Sequence, residues 1–385
     1  MNTRRSALLV ALILLLAACT AEVAPTPSPS TPPSPSATPN PTATPVPTPT
    51  APPTVAWEEA TVPETRSPSA LVTIVPGGDG LIAIGFDGGF GTSLWTSVDG
   101  REWTDITPAD FASVGIAGVV EFDGGLIGVG RGNTIDVDAN QAAVYRSDDG
   151  VTWRTVDTEM EGQLIDVIAT DQGLFAVGGV PGADAAGIWR STDGETWERA
   201  GDDFEHAFLW SIAEGGPGLV AVGWRRNPEP DLAVWTSTDG DEWTLAPDPE
   251  GFAGFEATDV IDLDGTLVMI GGSFDGSRGR IWTSDDGIAW ALADVDLGAG
   301  AYARTVNRTP AGLVATGGGA DANGRAWISP DGLAWSPLGD PQPGAFFNSA
   351  FPTDDALLIT GATQEGTFET GIQAHAMVWI ATLAD

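Results

Sequence analysis

STDGETW (residues 191–197) and STDGDEW (237–243) are near copies of one another. Four further stretches have the same form: SVDGREW (97–103), SDDGVTW (147–153), SDDGIAW (284–290) and SPDGLAW (329–335). All six fit S-x-D-G-x-x-W, and an aromatic stands two residues before each Ser, at Trp95, Tyr145, Trp189, Trp235, Trp282 and Trp327. Short alternating runs on either side predict a hairpin turn between two strands. Asp can accept hydrogen bonds from amides one or two residues ahead, Ser can do the same on the incoming side, and Gly supplies the positive φ of a tight turn. The closing Trp is expected to cover a neighbouring sheet, where full burial stabilises by about 2 to 3 kcal/mol. Asp99, Asp149, Asp193, Asp239, Asp286 and Asp331 therefore read as structural fasteners.

A second repeat lies upstream of the boxes and outnumbers them. GLIAIG (80–85), GLIGVG (125–130), GLFAVG (173–178), GLVAVG (218–223), TLVMIG (266–271), GLVATG (312–317) and ALLITG (356–361) make seven copies. Unbroken apolar character over so few residues predicts a strand covered on both faces, and the closing Gly marks a place where backbones crowd. With another apolar strand before each copy, the unit is four short strands, and Ser191 to Ser237 spans one period of 46 residues. Such a unit repeated radially is a β-propeller blade.

The count predicts an all-β, seven-bladed β-propeller of four-stranded blades over residues 55–385. Trp379 in AMVWIATL supplies the seventh third strand, but no box follows it, so the last blade lacks its outer strand. VAWEEATV (55–62) precedes the first blade and has no blade of its own. The expectation is that residues 55–62 pair with 374–383, which joins the chain ends and removes an exposed sheet edge.

The N-terminal fifty residues are of another kind. Arg4 and Arg5, an apolar run from Ala7 to Leu16 and the sequence LAAC ending at Cys19 have the plan of a secretory signal over residues 1–18. That run is too short for a stable membrane span. LAAC resembles a lipobox, which implies cleavage before Cys19 and a diacylglyceryl chain on its sulfur. Cys19 is the sole cysteine, so no internal disulfide forms. Residues 19–54 are dominated by Pro, Thr, Ser and Ala and have nothing to bury. They read as a disordered stalk that in polyproline II reaches up to roughly 100 Å. The implied location is the outer face of the cell membrane, with the membrane as partner through the lipid on Cys19.

Charge excludes more than it identifies. The chain has 53 acidic and 16 basic residues, net −37, with no lysine. Loss of Arg4 and Arg5 with the leader leaves 14 basic residues and −39. Such a surface repels nucleic acid and anionic lipid headgroups and keeps an exported monomer soluble. His206 and His375 are far apart in sequence, and no Cys or His cluster has metal-ligand spacing, so neither a metal nor a cofactor is expected. DVDAN (136–140) resembles the start of a calcium loop but lacks the following Gly and the Glu at the twelfth position, and it reads as a solvated loop.

With its six S-x-D-G-x-x-W boxes, the region 55–385 resembles the Asp-box, or BNR-repeat, propellers, a group that includes sialidases, sortilin-type receptor domains and bacterial assembly factors. The family box is usually S-x-D-x-G-x-T-W, and every copy here is one residue shorter. The resemblance implies boxes on the rim of one face. It places ligands on the loops entering the first strand and joining the second to the third. An active sialidase would need an arginine cluster, a tyrosine nucleophile with a glutamate, and an aspartic acid. Tyr145 occupies a structural position, so Tyr302 alone is left, with Arg304 two residues on, and an Arg-Ile-Pro segment is absent.

The strongest candidate surface is in the fourth repeat, where DFEHAFLW (203–210) and WRRNPEP (224–230) are expected to share a face. Trp224, Arg225 and Arg226 offer an aromatic platform and two planar donors, with Phe204 and His206 beside them and Tyr302 and Arg304 as further candidates. The competing reading packs Trp210 and Trp224 between blades and uses the arginines to neutralise nearby acids. Phe111, Phe252, Tyr302 and Phe346 hold similar places in other repeats, which favours structure over a single site. The functional expectation is a lipid-anchored binding or scaffolding module for a glycan or protein ligand. The alternative is a surface-displayed sialidase-like or other glycoside hydrolase.

Overall fold

The computed structural model describes residues 54–383 except 64, 67, 89–90, 110, 112–113, 133–140, 159, 181–184, 227, 248–250 and 366–372. The leader, Cys19, the stalk up to residue 53 and the DVDAN segment lie outside the described residues. The strands form seven antiparallel sheets, the blades of a seven-bladed β-propeller. Their innermost strands are Ser69–Gly77, Gly115–Phe122, Gln163–Thr170, Ala207–Gly215, Phe255–Leu263, Ala301–Thr309 and Ala345–Pro352. In blade 6 the short strand Gln342–Pro343 adds a third partner to Asn323–Ser329.

Closure is made by the expected segment, with ladder pairing confined to residues 55–59 of 55–62. Val55–Glu59 is the outer strand of blade 7 and pairs with Gln373–Leu383, from Val55 opposite Leu383 to Glu59 opposite Trp379. The same segment then crosses to blade 1. Ala60 N–H donates to Val378 O at 2.9 Å, Thr61 N–H to Arg101 O at 2.7 Å, and Trp103 N–H to Thr61 O at 2.9 Å. Glu58 and Arg101 add an ion pair at 2.6 Å. Beneath this strap Leu71, Ala83 and Trp95 of blade 1 pack with Leu358, Val378 and Ile380 of blade 7, so the joint is also apolar.

The six boxes are built alike. Ser Oγ accepts the N–H of the box Gly at 2.8–2.9 Å. Asp Oδ1 accepts amides two and three residues on, one step further than expected, as with Asp193 from Glu195 and Thr196, both at 2.8 Å. The glycine's φ of 69–77° turns the chain so that these later amides point back at the carboxylate. These amides, Thr196 first, hold the Asp193 carboxyl below its ordinary range. Its contribution to stability is therefore present above that range and lost on acidification. Each Trp indole N–H also donates to the O of its own box Gly, at 2.8–3.3 Å, a staple the sequence reading did not include.

The box Gly is also where consecutive blades touch. A Cβ on Gly150 would come within 3.1 Å of Ile82 in blade 1, on Gly194 within 2.8 Å of Ile127 in blade 2, and on Gly287 within 2.9 Å of Val220 in blade 4. On Gly240 it would collide with the Phe175 ring of blade 3. Positive φ and blade contact thus fall on one residue. We expect Gly240→Ala to lower unfolding free energy by about 2 to 4 kcal/mol, because left-handed backbone strain adds to overpacking. Gly124→Ala, at φ 73° with nothing within 4 Å, should cost only the strain, about 1 kcal/mol. Equal losses in urea titrations would refute the contact. Removing residues 54–62 should expose the edge of Gln373–Leu383 and yield concentration-dependent oligomers in light scattering.

Candidate functional site

Every innermost strand carries a register shift at the same place: between Leu71 and Thr73, Ile116 and Gly118, Leu164 and Asp166, Leu209 and Ser211, Ala257 and Asp259, Ala303 and Thr305, and Phe347 and Ser349. The closing Gly of each second strand makes room for it. A Cβ on Gly223, for example, would overlap Phe208 O, and the other six closing glycines sit equally close to the matching carbonyl. The bulge needs that empty space. Its extra residue is Val72, Ala117, Ile165, Trp210, Thr258, Arg304 or Asn348, all exposed or half-buried, while the residue before each is buried. Seven otherwise unlike side chains are thereby gathered around the axis of the ring.

The ring they form is lopsided. Blades 1 to 3 present Val72, Ala117 and Ile165, with Ala70, Gly115 and Gln163 two residues earlier. Blades 4 to 7 present Trp210, Thr258, Arg304 and Asn348, with Phe208, Glu256, Tyr302 and Phe346 two residues earlier. Phe208 lies 4.6 Å from Trp210 and stacks on Trp224 at 6.4 Å and 11°. Gly179 of blade 3 leaves room for the Phe208 ring, since a Cβ there would come within 2.7 Å of it. Trp210 Nε1 donates to Glu256 Oε2 at 3.2 Å across the seam between blades 4 and 5. On the far side Arg304 lies over Phe346 at 5.8 Å, and Phe346 is 6.5 Å from Tyr302.

Electrostatics sharpen the picture. Burial raises the Glu256 carboxyl, opposed by the Trp210 indole and by Arg304. Burial lowers Arg304, with Tyr302 and Glu256 opposing it. Its side chain is nonetheless reached by solvent, as befits a wall position along the axis, hemmed in by protein yet open to water. Tyr302 is raised by burial, so its hydroxyl stays protonated.

At or just past the bulges of blades 3 to 7, polar side chains bond across to neighbouring blades as a girdle. Asp166 Oδ2 accepts Ile212 N–H at 3.1 Å, and Asp259 Oδ2 accepts Val306 N–H at 2.8 Å. Ser211 Oγ lies 2.9 Å from Asp166 Oδ2 and 2.8 Å from Asp259 Oδ1. Asn307 Oδ1 accepts Ala350 N–H at 2.9 Å, and Asn348 Nδ2 donates to Leu71 O at 2.8 Å, which carries the girdle through blade 7 to blade 1. Burial first, then the charge of Asp166, pushes Asp259 up to about 7. Burial also raises Asp166.

The sequence candidates scatter over this frame. Trp224, Arg225 and Arg226 lie on the strand Gly218–Arg226, and Tyr302 and Arg304 on Ala301–Thr309, so these candidates stand on strands and not on the expected loops. Arg226 sits over Trp224 at 5.7 Å. Arg225 pairs in register with Ala207 and Asp231. His206 is exposed at φ 56°, and its carbonyl accepts Arg226 N–H at 2.8 Å. Phe204 is a correction: it is 8% exposed and packs edge-on against Trp235 at 5.6 Å, so it belongs to the core. Phe111 and Phe252 are likewise core residues, unlike Tyr302 and Phe346 with which the sequence reading grouped them. Tyr145 is buried, its hydroxyl bonded to Arg131 O at 3.2 Å. No group of three or more His, Cys, Asp or Glu able to hold a metal occurs among the described residues. Phe208, Glu256, Asp166, Ser211 and Asp259 were missed. Aligning the first strands of the seven repeats was the signal available, but the bulge hides the shared frame.

Because folding raises Asp259 above its unfolded value, the neutral form is favoured in the native state, and stability falls as pH climbs from the ordinary carboxylate range towards 7. Asp259→Asn cannot ionise, but its Nδ2 cannot accept one of the two backbone amides that the carboxyl holds. Its melting temperature should lie below the parent near pH 4.5, and the gap should narrow or reverse by pH 8. A difference independent of pH would refute this assignment.

Comparison with known proteins supports the fold alone. No family model matches the chain, and no curated protein matches it in sequence. Among solved structures, the WD40 β-propeller domain of Doa1 is similar at TM-score 0.53 and 13% identity, covering 86% of this chain and 98% of that one. A candidate 6-phosphogluconolactonase from Bacteroides uniformis is similar at TM-score 0.51 and 11% identity, over 80% and 95% of the two chains. A Trypanosoma rangeli sialidase bound to the inhibitor DANA is similar at TM-score 0.43 and 15% identity, over 69% of this chain and 54% of its own. The chain thus spans about half the length of that sialidase.

Proposed function

We propose that this chain is an exported, lipid-anchored Asp-box propeller that works as a binding module and takes a glycan at the axial mouth of blades 4 to 7. The observation that carries this reading is the asymmetry of the mouth. Phe208, Trp210, Trp224, Tyr302 and Phe346 gather on one half, with Glu256 and Arg304 between them. Half-buried rings give flat apolar faces for sugar rings, and a few convergent polar groups fix orientation. Packing alone supplies no reason for one half of an internally repeated ring to be aromatic and the other small. Cys19 and the proline-rich stalk fit a domain held away from a membrane, and the acid-rich surface fits a soluble exported body.

A glycan array probed with the domain 54–385, followed by calorimetry on the best binder, tests the reading. Trp210→Ala and Arg304→Ala should each weaken binding tenfold or more at temperatures where both variants remain folded, and wild-type binding in both would refute it. Hydrolysis is the second reading, favoured by one observation: the half-buried Glu256 is shifted towards its protonated form at the mouth, as a general acid would be. Turnover of aryl glycosides that disappears in Glu256→Gln would move the site to that class.

A further inference from the structure

Ser211 has one hydroxyl hydrogen and two carboxylates in front of it, Asp166 at 2.9 Å and Asp259 at 2.8 Å. It can donate to only one of them. If both acids were ionised, the other carboxylate would face an oxygen lone pair across a hydrogen-bond distance. Each acid already accepts two backbone amides. Asp166 takes Val167 N–H at 2.8 Å and Ile212 N–H at 3.1 Å, and Asp259 takes Val260 N–H and Val306 N–H, both at 2.8 Å. The remaining contact is satisfied only when one proton is added to the pair. A carboxylic acid then donates to Ser211 Oγ, and the Ser211 hydroxyl donates to the second carboxylate.

The position of this chain matters as much as its proton count. Ser211 and Asp259 join blades 4 and 5 one residue past the bulge, and Trp210 Nε1 to Glu256 Oε2 joins the same two blades at the mouth. Trp210 is covalently next to Ser211, and Arg304 is two residues from Val306, whose amide rests on Asp259. The other charged groups near the seam are Glu256 and Arg304. No histidine, lysine or further arginine interacts with the pair among the described residues.

We propose that Asp166, Ser211 and Asp259 hold a single shared proton that closes the seam between blades 4 and 5, so that the mouth is a proton-linked binding site that loosens as the proton leaves. The linkage to binding rests on the mouth being the ligand site. The shared proton does not. The pair titrates as a unit, with an inflection near neutrality consistent with the elevated Asp259. An outward-facing domain would meet such pH changes directly.

The test needs no ligand. In ¹⁵N-labelled protein the amides of Ile212 and Val306 report on Asp166 and Asp259, and the Trp210 indole N–H, identified by its loss in Trp210→Phe, reports on the mouth. Between pH 5 and 8.5 both amides should shift with one common inflection, and the Trp210 indole should show a component at the same pH. In Asp259→Asn the Ile212 inflection should move down by at least one pH unit, a tenfold drop in proton affinity, and the matching indole component should vanish. Absence of any inflection in the two amides, or an Ile212 profile unchanged in Asp259→Asn, overturns the shared proton. An indole curve unaffected by Asp259→Asn shows that Trp210 follows Glu256 alone and overturns the link to the mouth. Failure of every glycan to bind would sink the ligand reading while these titrations stood.

Discussion

A ring of sheets is stable only if its two ends meet, and here a five-residue strand makes them meet. Val55–Glu59 completes blade 7 by hydrogen bonding and then hands the chain to blade 1 through Thr61 and Arg101. Without it, blade 7 would end in the open edge of Gln373–Leu383, and its interface with blade 1 would lose the strap over Leu71, Trp95 and Leu358. The bulges, the girdle and the aromatic mouth all require seven blades held at fixed angles about one axis. They inherit their geometry from that closure.

Two kinds of glycine divide the remaining work. Box glycines combine a left-handed turn with contact to the preceding blade, which sets blade spacing at the periphery. The glycines that close each second strand leave room for the carbonyl of the innermost strand to press inward, and that room accommodates the bulge at the centre. Peripheral glycines are thus structural in a repetitive way. Central ones allow variation, because the residue that bulges out is free of the ladder and can differ from blade to blade. Trp210 and Arg304 occupy the same structural position as Ala117.

The charges follow the same division of labour. On the rim, arginines meet acids, as with Arg190 against Glu198 and Asp241 and Arg308 against Asp264, and solvent screens these pairs so that each contributes little. Along the axis the groups are few and enclosed. There Asp166, Asp259, Glu256 and Arg304 are all displaced from their ordinary proton affinities by burial. Enclosed groups of this kind are where ligand recognition or proton linkage acquires energetic weight.

Much of the architecture was legible in the residues themselves. The S-x-D-G-x-x-W boxes and the seven apolar second strands fixed strand number and blade number, and the orphan VAWEEATV segment fixed the manner of closure. Each of these depends on local chemistry repeated along the chain: turn formation, burial on two faces, an unpaired edge. The site was legible only in fragments. Trp224, Arg226, Tyr302 and Arg304 stand out in the sequence as candidates, but they lie on strands and not on loops, and Phe204 packs on Trp235. Trp210, Glu256 and the Asp166, Ser211 and Asp259 trio come from three different repeats and meet only around the axis. A one-residue bulge changes which face a side chain takes, and the room for the bulge is left by a glycine on another strand. By itself the sequence determined the repeat and the ring. Tertiary structure decided the site, because side chains roughly 45 residues apart become neighbours only when the ring has closed.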